Sequence, residues 1–374
     1  MMITMKKIMK KIPEGYKKTE IGIIPEDWDV CELRDLTKMI TNGFVGTATT
    51  HYTEADDGVT YIQGYNVIEN SFNFTGIKKV TLAFHQQHQK SCLKEGDLLT
   101  VQTGDVGLTT IVPKRLEGCN CHALIIYRFK KVKVFPYFYS YYFNSSIGRS
   151  RLKEFETGST MKHLNISDMV HWKVPFPKFK EQTAIATVLS DTDALIERLG
   201  KLIAKKKAIK QGAMQQLLTG KKRLPGFSGE WEVKKLPEVV WFQEGPGVRN
   251  SQFTNSGVKL LNGTNIEDGK LLLEKTDRYI SEKEAFGWYS HFLVDDGDIL
   301  IACSGVTIDK FQEKVTIASQ VNLPLCMNTS TMRFKIVSSI LSKDFFFYFL
   351  KSKSFKEQIG GKATGSAQLN FGPS

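Results

Sequence analysis

The sequence predicts an α+β chain in which two similar, mostly-β domains are joined by one long helix of the coiled-coil type. Three observations predict this: an internal duplication, many short Val/Ile/Tyr/Phe runs separated by Gly, Asn and Asp, and a central stretch with helical periodicity. A chain of 374 residues suits two or three domains. We place a basic N-terminal tail at 1–13, the first domain at 14–176, the helix at 177–223 and the second domain at 224–374.

Composition narrows the classes of function. Lys and Arg number 51 against 39 Asp and Glu, and this net charge of +12 favours a polyanionic partner such as nucleic acid. A hydrophobic fraction of 41% excludes a disordered chain. No apolar run reaches the roughly 18 residues of a membrane span, and the basic start lacks the apolar stretch of a secretory signal. Six scattered cysteines make no disulfide framework, so we expect a cytoplasmic protein without membrane contact.

The duplication relates segments that lie about 200 residues apart. Four matches keep their order along the chain, which chance would not preserve. They are Trp28 with Trp231, Gly64-Tyr-Asn66 with Gly263-Thr-Asn265, Gly96-Asp97 with Gly297-Asp298, and Thr157-Gly-Ser159 with Thr364-Gly-Ser366.

Each repeat combines short strands with one aromatic segment. Strands are predicted at 109–112, 124–129 and 332–337. The aromatic segments begin at Pro136 and Asp344, at corresponding places. Their aromatic residues recur three and four apart, which favours a short buried helix over the alternative, a buried strand.

The stretch between the repeats predicts one long helix. Lys178 to Thr219 contains no proline, and its apolar residues follow a heptad spacing. As a helix it would extend roughly 63 Å. Eleven Lys/Arg and four Asp/Glu between 177 and 223 concentrate positive charge there, either as a solvated face or as a contact with phosphates or an acidic partner. We expect the heptad seam to be a subunit interface formed by Ile185, Val188, Leu195, Leu199, Leu202 and Ile209.

The motifs of common catalytic sites are missing from the sequence. There is no Gly-x-x-x-x-Gly-Lys-Ser/Thr phosphate loop, no Asn-Pro-Pro-aromatic quartet for a flipped base and no Gly-x-Ser-x-Gly elbow. Cys119, Cys121 and His122 are too crowded for tetrahedral zinc and fit a packed strand. Glu232 and Lys234 could end a nuclease motif but fit a solvated strand better. We therefore predict no catalytic residue and no metal site.

Loops that carry glycine and short polar side chains recur in both repeats and are the candidate DNA-binding elements. Gln and Asn can pair bidentately with adenine, Lys can pair with guanine, and amides beside glycine can bind phosphate. Ordinary turn chemistry is the alternative at each position. The candidates are Gln63, Tyr65, Asn66, Gln102, Thr103, Gly104, Asp105, Ser159 and Lys162 in the first domain, and Asn262, Thr264, Asn265, Ser304, Gly305, Ser366 and Gln368 in the second.

Together these motifs resemble the specificity (S) subunits of type I restriction–modification enzymes. The resemblance covers residues 14–374 and is carried by the two Trp-acid-Val-x-x-Leu openings, the Gly-Asp-Leu/Ile-Leu and Thr-Gly-Ser segments, and Pro175-Phe-Pro-x-x-x-Glu181-Gln182 before the helix. Gly245-Pro-Gly-Val and Asn262-Gly-Thr-Asn strengthen it. It implies two target recognition domains, each reading half of a split double-stranded DNA sequence, held apart by helices that dock the modification subunits.

The resemblance also implies where catalysis lies. Methylation and cleavage would belong to the modification and restriction subunits, which would carry S-adenosylmethionine, ATP and Mg, and this chain would need no cofactor. The pattern of the family includes a second long helix, whereas only ten residues follow Thr364, so we expect that distal helix to be absent. The uncovered seam then predicts an antiparallel homodimer through 178–219, with modification subunits competing for the same surface.

Other functions stay open at this point. A stand-alone DNA-binding regulator would also be basic and duplicated, but no methyltransferase would co-purify with it. A solitary nuclease or methyltransferase would be active with magnesium or S-adenosylmethionine. A scaffold would bind no nucleic acid.

Overall fold

The computed structural model describes residues 12–130, 132–159, 162–360 and 368–369. The chain divides into two compact units, and the division lies between Leu199 and Gly200. Each unit contains one copy of the duplicated motifs, and the two are described in turn.

The first unit holds fifteen strands among its described residues. They are β1 (Tyr16–Thr19), β2 (Gly22–Pro25), β3 (Asp29–Glu32), β4 (Thr37–Asn42), β5 (Val59–Ile62), β6 (Val67–Ile68), β7 (Ser71–Phe72), β8 (Lys78–Val80), β9 (Leu98–Val101), β10 (Thr109–Ile111), β11 (Asn120–Cys121), β12 (Leu124–Phe129), β13 (Glu156–Thr157), β14 (His163–Leu164) and β15 (Lys173–Phe176). The helices that begin in it are α1 (Leu33–Leu36), α2 (Leu82–Gln87), α3 (Pro136–Asn144), α4 (Ser146–Lys153), α5 (Ile166–Met169) and α6 (Phe179–Leu217).

The core of the first unit is built on both faces of one antiparallel sheet, ordered β10-β9-β12-β4. Side chains alternate across a strand, so Leu98 and Leu99 face opposite ways. On one face, Leu98 and Tyr127 pack with aromatic residues of α3. On the other, Leu99 and Ile126 pack with residues of the smaller β11-β5-β8 sheet. The aromatic segment that begins at Pro136 is therefore a buried helix, as its spacing predicts.

The second unit repeats this plan. Its strands are β16 (Val240–Glu244), β17 (Val258–Leu261), β18 (Ile266–Glu267), β19 (Lys270–Leu271), β20 (Tyr279–Ile280), β21 (Ile299–Ala302), β22 (Val306–Thr307), β23 (Val315–Ile317), β24 (Leu325–Met327), β25 (Thr331–Ile336) and β26 (Gln368–Leu369). Its helices are α7 (Leu236–Val239), α8 (Glu282–Phe286), α9 (Lys343–Leu350) and α10 (Lys353–Gly360).

The sheet order β16-β25-β21-β23 corresponds to β4-β12-β9-β10 of the first unit, and β20-β17-β24 corresponds to β8-β5-β11. In the core, Ile301 and Phe334 pack with Phe346 of α9, so the second aromatic segment is also a helix. The structure thus confirms the α+β class, with two similar mostly-β domains joined by a long helix.

Helix α6 is continuous over 39 residues. It follows Pro175 and Pro177, and its first turn is fixed by Gln182, which is buried and bonds to the Phe135 amide and to the carbonyls of Lys133 and Pro177. Ala186 is the last residue of α6 that the first unit buries. The long helix predicted from the heptad spacing is confirmed, whereas the domain limits drawn from the sequence stay predictions.

Glu232 and Lys234 form an exposed ion pair in a segment without strand structure. The solvated strand expected there is therefore wrong. Among the residues that the model describes, no helix is both long and apolar enough to cross a membrane.

Candidate nucleic-acid interface

The first element of the candidate interface is a single 3₁₀ turn that follows the central strand of the small sheet in each domain. In the first domain it is Gly64–Asn66, where Asn66 Oδ1 accepts from the Gln63 amide at 3.0 Å and Nδ2 donates to the Asn73 carbonyl at 2.9 Å. Asn265 makes the same two bonds, to the Asn262 amide and the Leu272 carbonyl.

Both asparagines are buried. Their side-chain amides are bound to the loop backbone, so a base contact by Asn66 or Asn265 would require these hydrogen bonds to break. A buried amide that bonds its own loop satisfies backbone groups that would otherwise lie unpaired. These residues shape the loop, and their neighbours Tyr65 and Thr264 are the exposed ones.

The second element is the loop after strand β9 or β21, and it touches the first at a glycine. A Cβ on Gly64 would lie 3.4 Å from Val101 Cγ1 and 3.7 Å from the Thr103 carbonyl oxygen. A Cβ on Gly263 would lie 3.0 Å from the Ala302 Cβ. Close backbone approach at these two positions brings the 63–66 loop beside the 102–105 loop, and the 262–265 loop beside 304–305.

The third element is a short strand pair that contains the Thr-Gly-Ser motif in the first domain. β13 pairs with β14, and His163 of β14 bridges to Thr103. Gln102 Nε2 donates to the Leu164 carbonyl at 2.9 Å. In the second domain β26 pairs with β22 directly after Ser304 and Gly305, with Gln368 opposite Thr307. Three segments that are distant in sequence thus meet at one edge of each domain, which we call the loop edge.

An ion pair lies at the start of the strand that leads to each loop edge, and its aspartate is buried in both domains. Asp97 accepts from Arg128 Nε at 2.8 Å and from the Lys94 amide at 2.8 Å. The counterpart Asp298 accepts from the Asp295 amide at 2.9 Å and from Arg333 at 3.2 Å. The bond to Asp97 raises the pKa of Arg128. The repeated Gly-Asp-Leu/Ile-Leu motif is therefore part of the frame that places β9 and β21.

The structure places the remaining candidates as follows. Tyr65, Gly104, Asp105, Ser159 and Lys162 are exposed in the first domain, and Thr264, Ser304 and Gly305 in the second. Gln63, Gln102, Thr103 and Asn262 are half-buried; Asn262 accepts from the Asn328 side chain at 2.9 Å. Ser366 lies outside the described residues, and Gln368 is described by its backbone alone.

Three cations in the second domain were missed at the sequence level. Lys275, Arg278 and Lys314 line one open cavity of about 430 Å³ together with the 262–265 and 304–305 loops. Lys314 Nζ donates to the Ile266 carbonyl at 2.7 Å, and Lys275 pairs with Glu267, which raises the pKa of Lys275. These cations lie outside the four repeated motifs. Counting the Lys and Arg residues that flank each candidate loop in the sequence could have identified them.

Three buried cysteines are poorly suited to act as nucleophiles. Burial raises the pKa of Cys303 and of Cys326 to about 12, and burial raises that of Cys121 further. These thiols stay protonated at neutral pH, and a protonated thiol is a poor nucleophile. Cys121 lies in β11, as the packed-strand interpretation predicts. In the part of the chain that is described, no group of three His, Cys, Asp or Glu side chains could hold a metal ion.

A basic, duplicated chain with one polar loop edge in each domain and a long helix between them is built as a bipartite recognition protein. Comparison with known families agrees. The family described as "Type I restriction modification DNA specificity domain" matches residues 25–208 and 228–371. The chain belongs to this family and carries two copies of its domain. The resemblance drawn from the sequence is confirmed: the chain is a non-catalytic DNA-specificity subunit, and catalysis in type I systems lies in partner subunits.

Two relatives illustrate the similarity. The type I restriction enzyme MjaVIII specificity subunit of Methanocaldococcus jannaschii is 26% identical over 364 residues, which cover 95% of this chain and 82% of the relative. The MjaIX specificity subunit of the same organism is 23% identical over 365 residues, covering 92% and 80%.

Two solved structures share the fold. A chain from a study of complex assembly and conformational transition of the type I R-M system has a TM-score of 0.52 at 15% identity, covering 89% of this chain and 82% of that one. The S subunit of a type I restriction–modification system from M. genitalium has a TM-score of 0.50 at 16% identity, covering 91% and 84%.

Proposed function

We propose that each loop edge enters the major groove of double-stranded DNA and reads one half of a split target. The observation that carries this proposal is the convergence of the same three segments at one edge, twice in one chain. Only the major groove presents a different donor and acceptor pattern for all four base pairs, so a reader of sequence gains most there.

The side chains at the two edges suit this task. Lys162 in the first domain, and Thr264 and Ser304 in the second, are exposed and carry polar groups that can reach base edges. Tyr65 is also exposed, with its hydroxyl donating to the Gly76 carbonyl at 2.8 Å, so its ring is the part that it offers to the DNA. Arg278 and Lys275 line the second edge and suit contacts with phosphate, which position the protein on the duplex. Gln102, whose side-chain amide bonds to Leu164, acts by holding the third segment in place.

Salt dependence of DNA binding tests this proposal. The full chain, with its modification subunits, is titrated with a duplex that contains the bipartite target at several salt concentrations. Neutralising something like 6–10 phosphates gives a steep fall of log K with log salt, and Arg278→Ala should reduce the slope by about 1. Lys283→Ala is the matched control because Lys283 is exposed on α8 and does not line the cavity. A flat plot would refute the proposal.

We further propose that the seam of α6 docks the modification subunits. The seam residues Val188, Leu195, Leu199, Leu202 and Ile209 are exposed on the described chain, with Val188 66% and Leu195 55% accessible, while Ile185 packs partly against the first core. A row of apolar side chains of this length favours a covering partner. Without modification subunits, we propose that two chains pair antiparallel through the same seam. The complex works in the cytoplasm, with S-adenosylmethionine, ATP and Mg on the partner subunits.

Charged substitutions in the seam test the docking. The triple change Leu195→Glu, Leu199→Glu and Leu202→Glu should abolish co-purification with the modification subunits and convert the isolated chain to a monomer in light scattering. Ala204→Glu is the control, because Ala204 is exposed and lies opposite the seam by heptad spacing. Association that survives the triple change would place the interface elsewhere. Both domains should stay folded in every variant, since these side chains are exposed.

A further inference from the structure

A fourth segment reaches the loop edge of each domain, directly after the outer strand of the large sheet. In the second domain this strand is β16, and its last residue, Glu244, lies opposite Met332 of β25. The strand on the other side of β25 is β21, which ends at Ala302 opposite the first residue of β25 and leads into the 304–305 loop. Strands β16 and β21 therefore end side by side, and the segment 245–250, which we call the second glycine segment, lies at the loop edge.

Close packing joins the second glycine segment to the loops already described. A Cβ on Gly245 would collide with the Asn328 carbonyl oxygen, so the segment can approach this turn only with glycine at that position. The turn bonds in its own right to the next loop, because Asn328 Nδ2 donates to the Asn262 side chain at 2.9 Å. The Ser330 hydroxyl also accepts from the Gly263 amide at 2.9 Å. The second glycine segment is thus connected to the 262–265 loop through a single turn.

The first domain has the same arrangement with different side chains. Its glycine segment, 43–48, follows β4, and a Cβ on Gly43 would lie 2.6 Å from the Cys121 carbonyl oxygen. The Phe44 ring is turned inward, where it meets another ring of the first domain edge-on. Val45 is 63% exposed, and the segment contains no Lys or Arg. The backbone approach is therefore shared by the two repeats, whereas the exposed chemistry is not.

The second glycine segment carries one cation, Arg249, which is exposed and has a firmly held backbone. The preceding residue, Val248, is buried in the core of the second domain. The Arg249 amide donates to Gln252 Oε1 at 3.1 Å. Gln252 is fixed in turn, because its Nε2 donates to Glu284 at 3.0 Å and its Oε1 also accepts from the Tyr289 hydroxyl at 3.2 Å. Contacts on both sides thus fix the point from which the arginine side chain extends.

The Arg249 guanidinium keeps its donors available for a ligand. Among the described residues, no carboxylate, Glu244 and Glu284 included, lies within 4 Å of it. The two oxygens of Glu284 are bonded elsewhere, one to Gln252 and one to Ser281, and these bonds lower the pKa of Glu284. A guanidinium has five N–H donors in a planar fork and no acceptor, so its natural partner is a group with two acceptors side by side.

We propose that Arg249 determines specificity in the second domain by donating two hydrogen bonds to O6 and N7 of a guanine. Guanine presents these two acceptors next to each other in the major groove, and no other base offers the same pair there. This inference rests on the proposed entry of the loop edge into the major groove, and it names one base that the second edge reads. The glycine segment of the first domain has no cation, so the contact belongs to the second half-site alone.

A base contact suits Arg249 better than a phosphate contact does. Base readout needs a donor held within a fraction of an ångström of its acceptor, and the collision at Gly245, the burial of Val248 and the bond to Gln252 supply such a support. Contacts with phosphate position the duplex without reading it. The cations Lys275 and Arg278, which line the cavity of the same edge, suit that second role. The two kinds of cation thus divide the work of one edge.

The probe is a pool of duplexes randomised at both half-sites, from which the full chain with its modification subunits selects its target. The wild-type chain should select a guanine at one position of the second half-site, and Arg249→Ala should lose about 5- to 150-fold of that preference. Arg249→Gln should transfer the preference to adenine, because a Gln side chain pairs with adenine N6 and N7. Lys283→Ala is the matched control, since Lys283 is exposed on α8 and should leave every preference unchanged.

The outcomes separate this inference from the proposed function. If Arg249→Ala weakens binding to every sequence equally and lowers the salt slope by about 1, Arg249 contacts phosphate and the inference is overturned, while the loop edge can still be the reader. A guanine preference that survives in both Arg249 variants overturns it as well. Thr264→Ala tests the edge independently, and the proposed function itself fails if neither Thr264→Ala nor Arg249→Ala changes the preference at any base. Hydrogen exchange of 245–250 should be unaltered in each variant, because both side chains are exposed.

Discussion

The first and second domains share a frame but present different side chains on it. The ion pair of Asp97 with Arg128 recurs as Asp298 with Arg333, and the anchoring bonds of Asn66 recur in Asn265. The exposed loop positions differ: Tyr65 corresponds to Thr264, and three cations gather at the second edge. One backbone plan thus carries two surfaces, which is what independent reading of two half-sites requires.

Substitutions in the shared frame should lower the free energy of unfolding more than substitutions at the exposed loop positions. Asp298 and Arg333 are both nearly buried, so Asp298→Ala leaves the buried arginine with only the more distant, exposed Asp295 carboxylate at 3.8 Å and should destabilise the second domain by about 3 kcal/mol. Asp97→Ala should cost the first domain less, because Arg128 is 23% exposed and can turn toward water. Urea unfolding followed by hydrogen exchange in each domain measures both.

Asp295→Ala is the matched control for this prediction. Asp295 pairs with Lys335 and more distantly, at 3.8 Å, with the same Arg333, but it is largely exposed, so its loss should cost less than about 1 kcal/mol. Equal costs for Asp295→Ala and Asp298→Ala would mean that the buried pair does not support the frame. A loss of stability in the opposite domain would mean that the two domains do not fold independently.

Substitutions of the buried loop asparagines and of the exposed loop residues should affect DNA binding in different ways. Asn265→Ala removes two hydrogen bonds of the loop. We expect it to weaken the free energy of DNA binding by about 1–3 kcal/mol, equally whichever base of the second half-site is varied. Thr264→Ala should alter preference at one base position by about 1–3 kcal/mol. Binding to a set of duplexes that vary one base pair at a time measures both, with the first half-site as internal control.

A base-specific effect of Asn265→Ala, with no general weakening of DNA binding, would show that Asn265 contacts a base.

For the first domain, Lys162→Ala should relax sequence preference only at the first half-site, since Lys162 is exposed beside the third segment. Weakening at both half-sites would indicate a contact with the DNA backbone.

Local patterns in the sequence were enough to predict the helices and the duplication. The heptad spacing predicts α6, and the aromatic spacing predicts α3 and α9, because helical periodicity is a property of neighbouring residues. The repeated motifs also lead to the segments that meet at each loop edge. The sequence could not distinguish residues that hold a loop in place from residues that could contact bases. An asparagine such as Asn66 suits both roles, and only its burial in a 3₁₀ turn indicates the first.

Long-range pairing explains what else was missed. Trp28 and Trp231 look alike in sequence, but one is covered by a strand about 145 residues further along the chain and the other is open. Lys275 and Arg278 reach the second loop edge from a segment that no repeated motif contains. Such contacts depend on which strands pair, and composition does not specify that.

A further difference between the domains is His122, and it predicts a pH dependence of the first domain. His122 follows β11, and its amide donates to the Ile62 carbonyl; Asn328 follows β24 in the same way and donates to Leu261. The ring Nδ1 of His122 lies 3.0 Å from the Tyr61 hydroxyl. Burial lowers the pKa of His122 below its ordinary value, because the charged ring loses hydration.

Because its pKa is lowered, His122 becomes protonated at a lower pH in the folded state than in the unfolded chain. Stability from the neutral ring is complete above the unfolded pKa of about 6.5 and is lost as the pH falls through the folded pKa. We expect a loss below about 1 kcal/mol in the first domain between pH 7.5 and 5.5, since the ring is partly exposed. His122→Asn, which copies the second domain, should remove this loss when domain stability is measured by hydrogen exchange across that range. An unchanged pH profile in that variant would show that the dependence does not come from His122.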